Sequence, residues 1–166
     1  MTVDELRKEL EQEARTTRRV LERVAEDKLA WKPHPRSMSM GQLAMHVATL
    51  SGEIAKISAK DSFDVGTPIP RPEAASRAEL MSALDQSLAT ANRILGDTSD
   101  AALTAPWKMM NGDREVASMT RGALLRSVML NHWYHHRAQL AVYLRLTGAK
   151  VPAIYGASAD ENPMAG

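Results

Sequence analysis

The chain has 166 residues, a formal charge of +1 at pH 7 and no cysteine. A sequence of this length fits one domain with a sizeable core, and we expect residues 1–166 to form that domain. Balanced charge without a long basic run disfavours a nucleic-acid-binding surface, and the absence of cysteine excludes disulfides, iron–sulfur clusters and an attacking thiolate supplied by this chain.

The first predicted element is an amphipathic helix. Apolar side chains return every three or four residues from Val3 to Val24, with acids early and arginines later, as the helix dipole favours. Pro33 and Pro35 are expected to end this helix. The segment is charged throughout and lacks the apolar stretch of a secretory signal, and no apolar run is long enough to span a bilayer. We therefore expect a cytoplasmic protein.

Two further helices begin at capping-box sequences. Ser39 and Gln42 open the second helix, which continues for about 20 residues, and Ser76 and Glu79 open the third, which ends near Gly96. The prolines of "TPIPRPE" between them predict an extended connection. This connection is long enough to cross the full length of a helix, so the second and third helices can run parallel.

The rest of the chain predicts a hairpin followed by a long helix. Asn111-Gly112 between two short flanks is typical of a tight type I′ β-hairpin. The last helix is expected from about Thr120 to Thr147, with Gly148 as its C-cap residue. Four amphipathic helices can bury their apolar stripes together as a bundle, so we predict an all-α four-helix bundle with at most two short strands around the hairpin.

Three of the five histidines fall within "NHWYHH". His132 and His136 are four residues apart and share one helix face, whereas His135 lies about 100° round the helix from His136. His46 occupies the apolar stripe of the second helix and is the natural third member of the group. The interior stripe predicted for the last helix consists of Leu125, Val128, Met129, His132, His136, Tyr143 and Leu146.

Three imidazoles that face one interior form the ligand set of an open, catalytic type of metal site. The spacing alone leaves other interpretations open, because histidine pairs four residues apart also occur on surfaces and buried histidines are often only hydrogen-bonded. Glu53, on the same face as His46, is a candidate base but can equally be a solvated carboxylate. Gln139 follows His136 by three residues and is a candidate polar neighbour of the site.

Two stretches carry a family resemblance. "WKPHPRSMSMGQLAMHVATL" and "NHWYHHRAQLAVYLRLTGAKVPAIYGASADE" resemble the DinB/YfiT-like family of four-helix bundles, which are regarded as candidate metalloenzymes. The likeness covers nearly the whole chain, although the usual "HRGQ" is "HRAQ" here. It implies an up-down-down-up topology and a divalent metal, commonly zinc or nickel, held by His46, His132 and His136.

The resemblance also implies a choice of functions. Family members include metal-dependent hydrolases and transferases or isomerases that use a low-molecular-weight thiol of the bacillithiol or mycothiol type. A thiol-dependent reaction here would need an external thiol, since the chain has no cysteine. The alternative is a non-catalytic module that binds a metal or small ligand, for example a stress-related dimer. We expect a small-molecule substrate, a homodimer and neither nucleic-acid nor membrane partners.

Overall fold

The computed structural model describes residues 1–164, which are mainly helical. The helices in chain order are α1 (Val3–Leu21), α2 (Met40–Ser58), α3 (Arg77–Gly96), α4 (Asp100–Leu103), α5 (Arg121–Leu124) and α6 (His132–Leu146). A 3-10 turn occupies Glu26–Lys28, and a π-helical segment, Leu125–Asn131, joins α5 to α6 in one long rod. None of the helices described combines the length and the apolar character that crossing a membrane requires.

Contacts at the two ends of α1 show its direction relative to α3. Arg18, near the end of α1, forms an ion pair with Asp85 in the first half of α3. At the other end, the backbone N–H of Val3 donates to Asp100 Oδ1, just beyond α3, at 2.7 Å. The two helices therefore run antiparallel.

Helices α2 and α3 are parallel and very close together. The Ser39 hydroxyl before α2 donates to Glu73 before α3, and near the middle the Gly52 N–H donates to Ser87 Oγ at 2.8 Å. A Cβ atom on Gly52 would lie 2.8 Å from the Ser87 carbonyl oxygen, so only glycine allows this approach. The long connection between the two helices thus does run the length of the bundle.

The last helix runs antiparallel to α2 and parallel to α1. The Trp133 indole N–H donates to the Val47 carbonyl at 2.7 Å, and the Tyr143 hydroxyl, nearly three turns further on, donates to the carbonyl of Met38 before α2. The ion pairs that join α1 to the last helix in the same chain order are Glu9–Arg126 and Glu13–Arg137. These directions confirm the up-down-down-up four-helix bundle.

The predicted helix starts are confirmed, although one capping box is incomplete. Ser39 Oγ accepts from the Gln42 N–H at 3.1 Å and Gln42 Oε1 accepts from the Ser39 N–H at 3.0 Å, which completes the box at α2. Ser76 likewise accepts from the Glu79 N–H, but the Glu79 carboxylate accepts from the N–H of Ala75, one residue too early for a box.

The helix ends agree less closely with the sequence. Gly148 has φ +80°, a left-handed conformation that glycine adopts readily, and it follows the last helix as predicted. Helix α1 ends at Leu21, well before the prolines that were expected to stop it. The apolar steps in the sequence end only at Val24, because Leu29 follows five residues later and no longer shares its helix face.

A three-stranded sheet lies at one end of the bundle, in the order β1 (Ser62–Asp64), β2 (Pro106–Asn111) and β3 (Arg114–Thr120). Strands β2 and β3 form the predicted hairpin, but the type I′ turn was wrong. Such a turn needs positive φ at both central residues, and here Gly112, with φ +58°, is followed by Asp113 with negative φ, the pattern of a II′ turn. Strand β1, parallel to β2, was not predicted within the extended connection.

The residues of the last helix that face the core differ from the predicted stripe. Leu146 is 60% exposed and both histidines are only half-buried. The buried line consists of Leu125, Met129, Trp133, Arg137, Leu140 and Leu144. Three consecutive four-residue steps would drift by about 120° round an ideal α-helix. The π-helical segment, with its i→i+5 bonds, takes up more residues per turn and keeps this line on one side.

Candidate metal centre

The bundle brings together the three histidines that the sequence singled out. One ring nitrogen from each of His46, His132 and His136 lies within 4.8 Å of the others. The Nε2 atoms of His132 and His136 are 2.7 Å apart, and the His46 ring centroid lies 5.4 Å and 4.6 Å from those of the two partners. His34 and His135 are exposed and lie outside the group.

The packing of α6 on α2 explains why these side chains meet. Trp133 is fully buried and its indole hydrogen bond to Val47 pins the two helices at one level. His132 is the residue before Trp133, and His46 is the residue before Val47. The hydrogen bond between Trp133 and Val47 therefore brings these two imidazoles side by side at the edge of the interface. His136 joins them because it lies one turn after His132 on the same helix face.

Hydrogen bonds behind the rings orient the two imidazoles of α6. His136 Nδ1 lies 2.8 Å from Gln139 Oε1, and since an amide oxygen only accepts, Nδ1 carries the hydrogen and Nε2 keeps its lone pair. The backbone carbonyl of Val128, as a hydrogen-bond acceptor for His132, raises the pKa of that ring against the effect of burial. Such bonds from the far ring nitrogen are the usual support of metal-ligating histidines. Gln139 thus lies where the sequence suggested.

All three histidines are held as neutral imidazoles at neutral pH. Burial, followed by the charges of His136, His132 and Arg71, lowers the pKa of His46 to about 4. Burial is also the main cause that lowers the pKa of His132 and of His136, against the opposing effect of the acceptors Val128 carbonyl and Gln139 Oε1, respectively. A metal needs the unprotonated ring, so none of the three must lose a proton at pH 7 to bind one.

The lowered pKa of His46 predicts a loss of stability in acid. Because the folded pKa is about 4 and the unfolded value about 6.5, the unfolded chain binds the extra proton first, so stability is full above pH 6.5 and falls towards pH 4. Between about pH 7 and about pH 4.5, metal-free wild type should lose ~1–2 kcal/mol more than His46→Gln, after allowing for solvent screening of a partly exposed ring. Urea unfolding at both pH values measures this; equal losses in the two proteins would contradict the prediction.

The donor set fits a divalent ion. Two lone pairs that face one another at 2.7 Å repel unless a proton or a cation lies between them, and a third imidazole nitrogen lies close by. Two nitrogens that each lie ~2.1 Å from a tetrahedral ion are ~3.4 Å apart, within the spread of spacings seen here. Three nitrogens without a carboxylate or thiolate favour zinc, nickel or copper over magnesium and calcium.

The three histidines form part of the wall of a cavity of about 360 Å³. Its remaining lining residues are Met38, Ile69, Pro70 and Arg71. Glu53 does not line this cavity; with His46 it lines a smaller one next to it, and among residues 1–164 it makes no hydrogen bond to the three imidazoles. The structure therefore places Gln139 in contact with His136 of the three-histidine group but does not place Glu53 there as a base.

A buried ionic network behind the centre was missed from the sequence. Arg137, which follows His136, is 1% exposed and lies 2.5 Å from the Glu13 carboxylate. Its guanidinium also donates to Thr17 Oγ1 and to the hydroxyl of Tyr155 in the carboxyl-terminal segment. The sequence contains a signal for this network, because Glu13 and Thr17 occupy polar positions within the four- and three-residue steps of the apolar stripe of α1.

Comparisons with known proteins agree with this fold. The model of the DinB family matches residues 1–163. The uncharacterized protein YrdA of Bacillus subtilis (strain 168) is 24% identical over 164 residues, which cover 96% of this chain and 92% of YrdA. A crystal structure of a DinB-like protein from Bacillus cereus ATCC 10987 has a TM-score of 0.73 and 21% identity, and covers 93% of this chain and 98% of its own.

A second crystal structure, of the DinB-like protein YjoA from Bacillus subtilis, has a TM-score of 0.66 at 20% identity and covers 88% of this chain and 93% of its own. At these identities the solved structures establish the fold alone. The family model, in contrast, spans α1, the three-histidine centre and the carboxyl-terminal segment in one match. This chain belongs to the DinB family.

Proposed function

We propose that this DinB-family chain is a metal-dependent enzyme. His46, His132 and His136 hold a divalent ion, zinc or nickel, and the reaction on a small molecule is either hydrolysis or the transfer of a low-molecular-weight thiol. The observation that carries the proposal is the meeting of three neutral imidazoles from two helices on the wall of one cavity.

Other residues of the chain orient the metal ligands and line the cavity. A divalent ion held by three neutral ligands supplies Lewis acidity when bound, and lowers the pKa of a water or thiol that reaches it. Gln139 keeps His136 in the tautomer whose Nε2 is free to bind the ion. Met38, Ile69 and Pro70 give the cavity an apolar side against which the apolar part of a substrate can pack.

A substrate screen tests the catalytic part of the proposal. Metal-loaded protein is assayed with activated esters and amides, and separately with electrophiles plus an external thiol, against the free metal at the same concentration. Turnover above that of free metal, lost in His46→Ala, would support an enzyme. Stoichiometric metal without turnover in either series would favour the non-catalytic alternative, and light scattering on the same samples would test the expected homodimer.

Chelation provides a test of the metal centre that needs no substrate. A ligand that binds only the folded state at a concentration 100-fold above its dissociation constant stabilises that state by ~2.7 kcal/mol. We therefore expect EDTA to lower the thermal midpoint of purified protein by several degrees, and stoichiometric zinc or nickel to restore it. A midpoint indifferent to EDTA in protein that contained metal would indicate that the histidines have only a structural role.

A further inference from the structure

The connection between α2 and α3 places one arginine over the candidate metal centre. Arg71 lines the same cavity of about 360 Å³ as His46, His132 and His136. It stands between Pro70 and Pro72. A proline ring fixes its own φ and keeps the preceding residue extended, so the backbone at position 71 is restricted before any ligand arrives. The backbone of this segment therefore loses little conformational freedom when the guanidinium binds a ligand, and the ordering falls on the exposed side chain.

The charge of Arg71 is not neutralised within the described part of the chain. None of the ion pairs formed among residues 1–164 includes Arg71, and no carboxylate lines the cavity. Glu53 shares only the smaller neighbouring cavity with it and lies beyond ion-pair distance. After burial and the two neighbouring histidines, the Arg71 charge is a further cause of the lowered pKa of His46, as expected for a nearby guanidinium.

Three apolar residues line the same cavity as Arg71. These residues are Met38, Ile69 and Pro70, and Ile69 is 57% exposed, so a ligand in the cavity can bury apolar surface against it. A guanidinium offers a planar fork of donors that matches a carboxylate or a phosphate. The cavity therefore combines an anion-binding group, an apolar surface and the three imidazoles.

We propose that Arg71 binds an anionic group, a carboxylate or phosphate, on a substrate whose apolar body covers Ile69 and Met38 and whose reacting group faces the three histidines. This names a substrate class for the site and rests on the proposed function for what the histidines do. With a divalent ion on the three neutral imidazoles, the ion and the guanidinium would make the cavity positive and would attract such an anion from solution.

The test compares a charged ligand with its neutral counterpart. Hexanoate and hexanamide share the same apolar chain, and their affinities are measured by calorimetry on zinc-loaded protein. Wild type should bind hexanoate more tightly than hexanamide. Arg71→Gln should weaken hexanoate at least tenfold and leave hexanamide and the zinc content unchanged, while Arg71→Lys should recover part of the loss.

Arg114→Gln is the matched control, because Arg114 is exposed on β3 and its loss changes the net charge equally. Equal hexanoate affinity in wild type and Arg71→Gln would overturn the proposal. The same titrations on metal-free protein separate the two claims. If the protein takes up no zinc and Arg71→Gln still weakens hexanoate binding, the metal centre is rejected and the anion site stands. If zinc content is normal and Arg71→Gln binds hexanoate as well as wild type, the anion site is rejected and the metal centre stands.

Discussion

Replacing His132 with alanine is expected to reduce bound metal from near one ion per chain to background. His132 supplies one of only three nitrogen donors, and its Nε2 lies 2.7 Å from that of His136. Two remaining imidazoles from different helices hold a divalent ion far more weakly than three. Elemental analysis of protein purified without a metal-affinity tag measures the effect directly.

His135→Ala is the matched control for this experiment. His135 lies next to His136 in sequence, its ring centroid is 5.0 Å from that of His136, and it is exposed and outside the three-nitrogen group. The control should keep its metal, and both variants should keep the helical circular dichroism of wild type. Unchanged metal content in folded His132→Ala would reject the three-histidine centre.

Arg137→Met is expected to lower the free energy of unfolding by about 3–5 kcal/mol, because it leaves the Glu13 carboxylate buried without its counter-ion. Glu13 is 5% exposed, and the guanidinium also donates to the Glu13 carbonyl, to Thr17 and to Tyr155. Its face lies 5.3 Å and 5.2 Å from the rings of Tyr134 and Tyr155.

Two further variants separate the burial of charge from the loss of packing. Glu13→Leu combined with Arg137→Met removes both charges and should be less destabilised than Arg137→Met alone. Arg15→Met breaks an exposed ion pair with Glu11 and should cost less than ~1 kcal/mol. Urea unfolding gives all three values. Equal destabilisation in Arg137→Met and Arg15→Met would show that the network contributes little to stability.

The residues of the candidate site could be predicted because their positions depend on helix periodicity. The four-residue spacing of His132 and His136 and the place of His46 within an apolar stripe are local features of a 3.6-residue helix. Helix starts at Ser39 and Ser76 were equally local, since a capping side chain bonds the backbone only a few residues away. The direction of the helices came from the family resemblance.

Features that depend on distant partners could not be predicted. Strand β1 has three residues and forms only by pairing with Lys108 to Met110, more than forty residues later. The buried role of Arg137 depends on α1 and on Tyr155 at the other end of the chain. Arg71 lies in a segment with no periodicity, so nothing local showed which cavity it lines.

The π-helical segment before His132 has a consequence for when the metal can enter. In an uninterrupted α-helix the two histidines would lie on the same side as Met129, which is fully buried. With the segment present, Trp133 and Leu140 fill the core and the imidazoles remain at its rim. The core is thus complete without the ion, unlike that of a zinc finger, whose chain is unfolded until metal binds. If the proposed centre binds its ion at this rim, we expect loading to follow folding rather than to drive it.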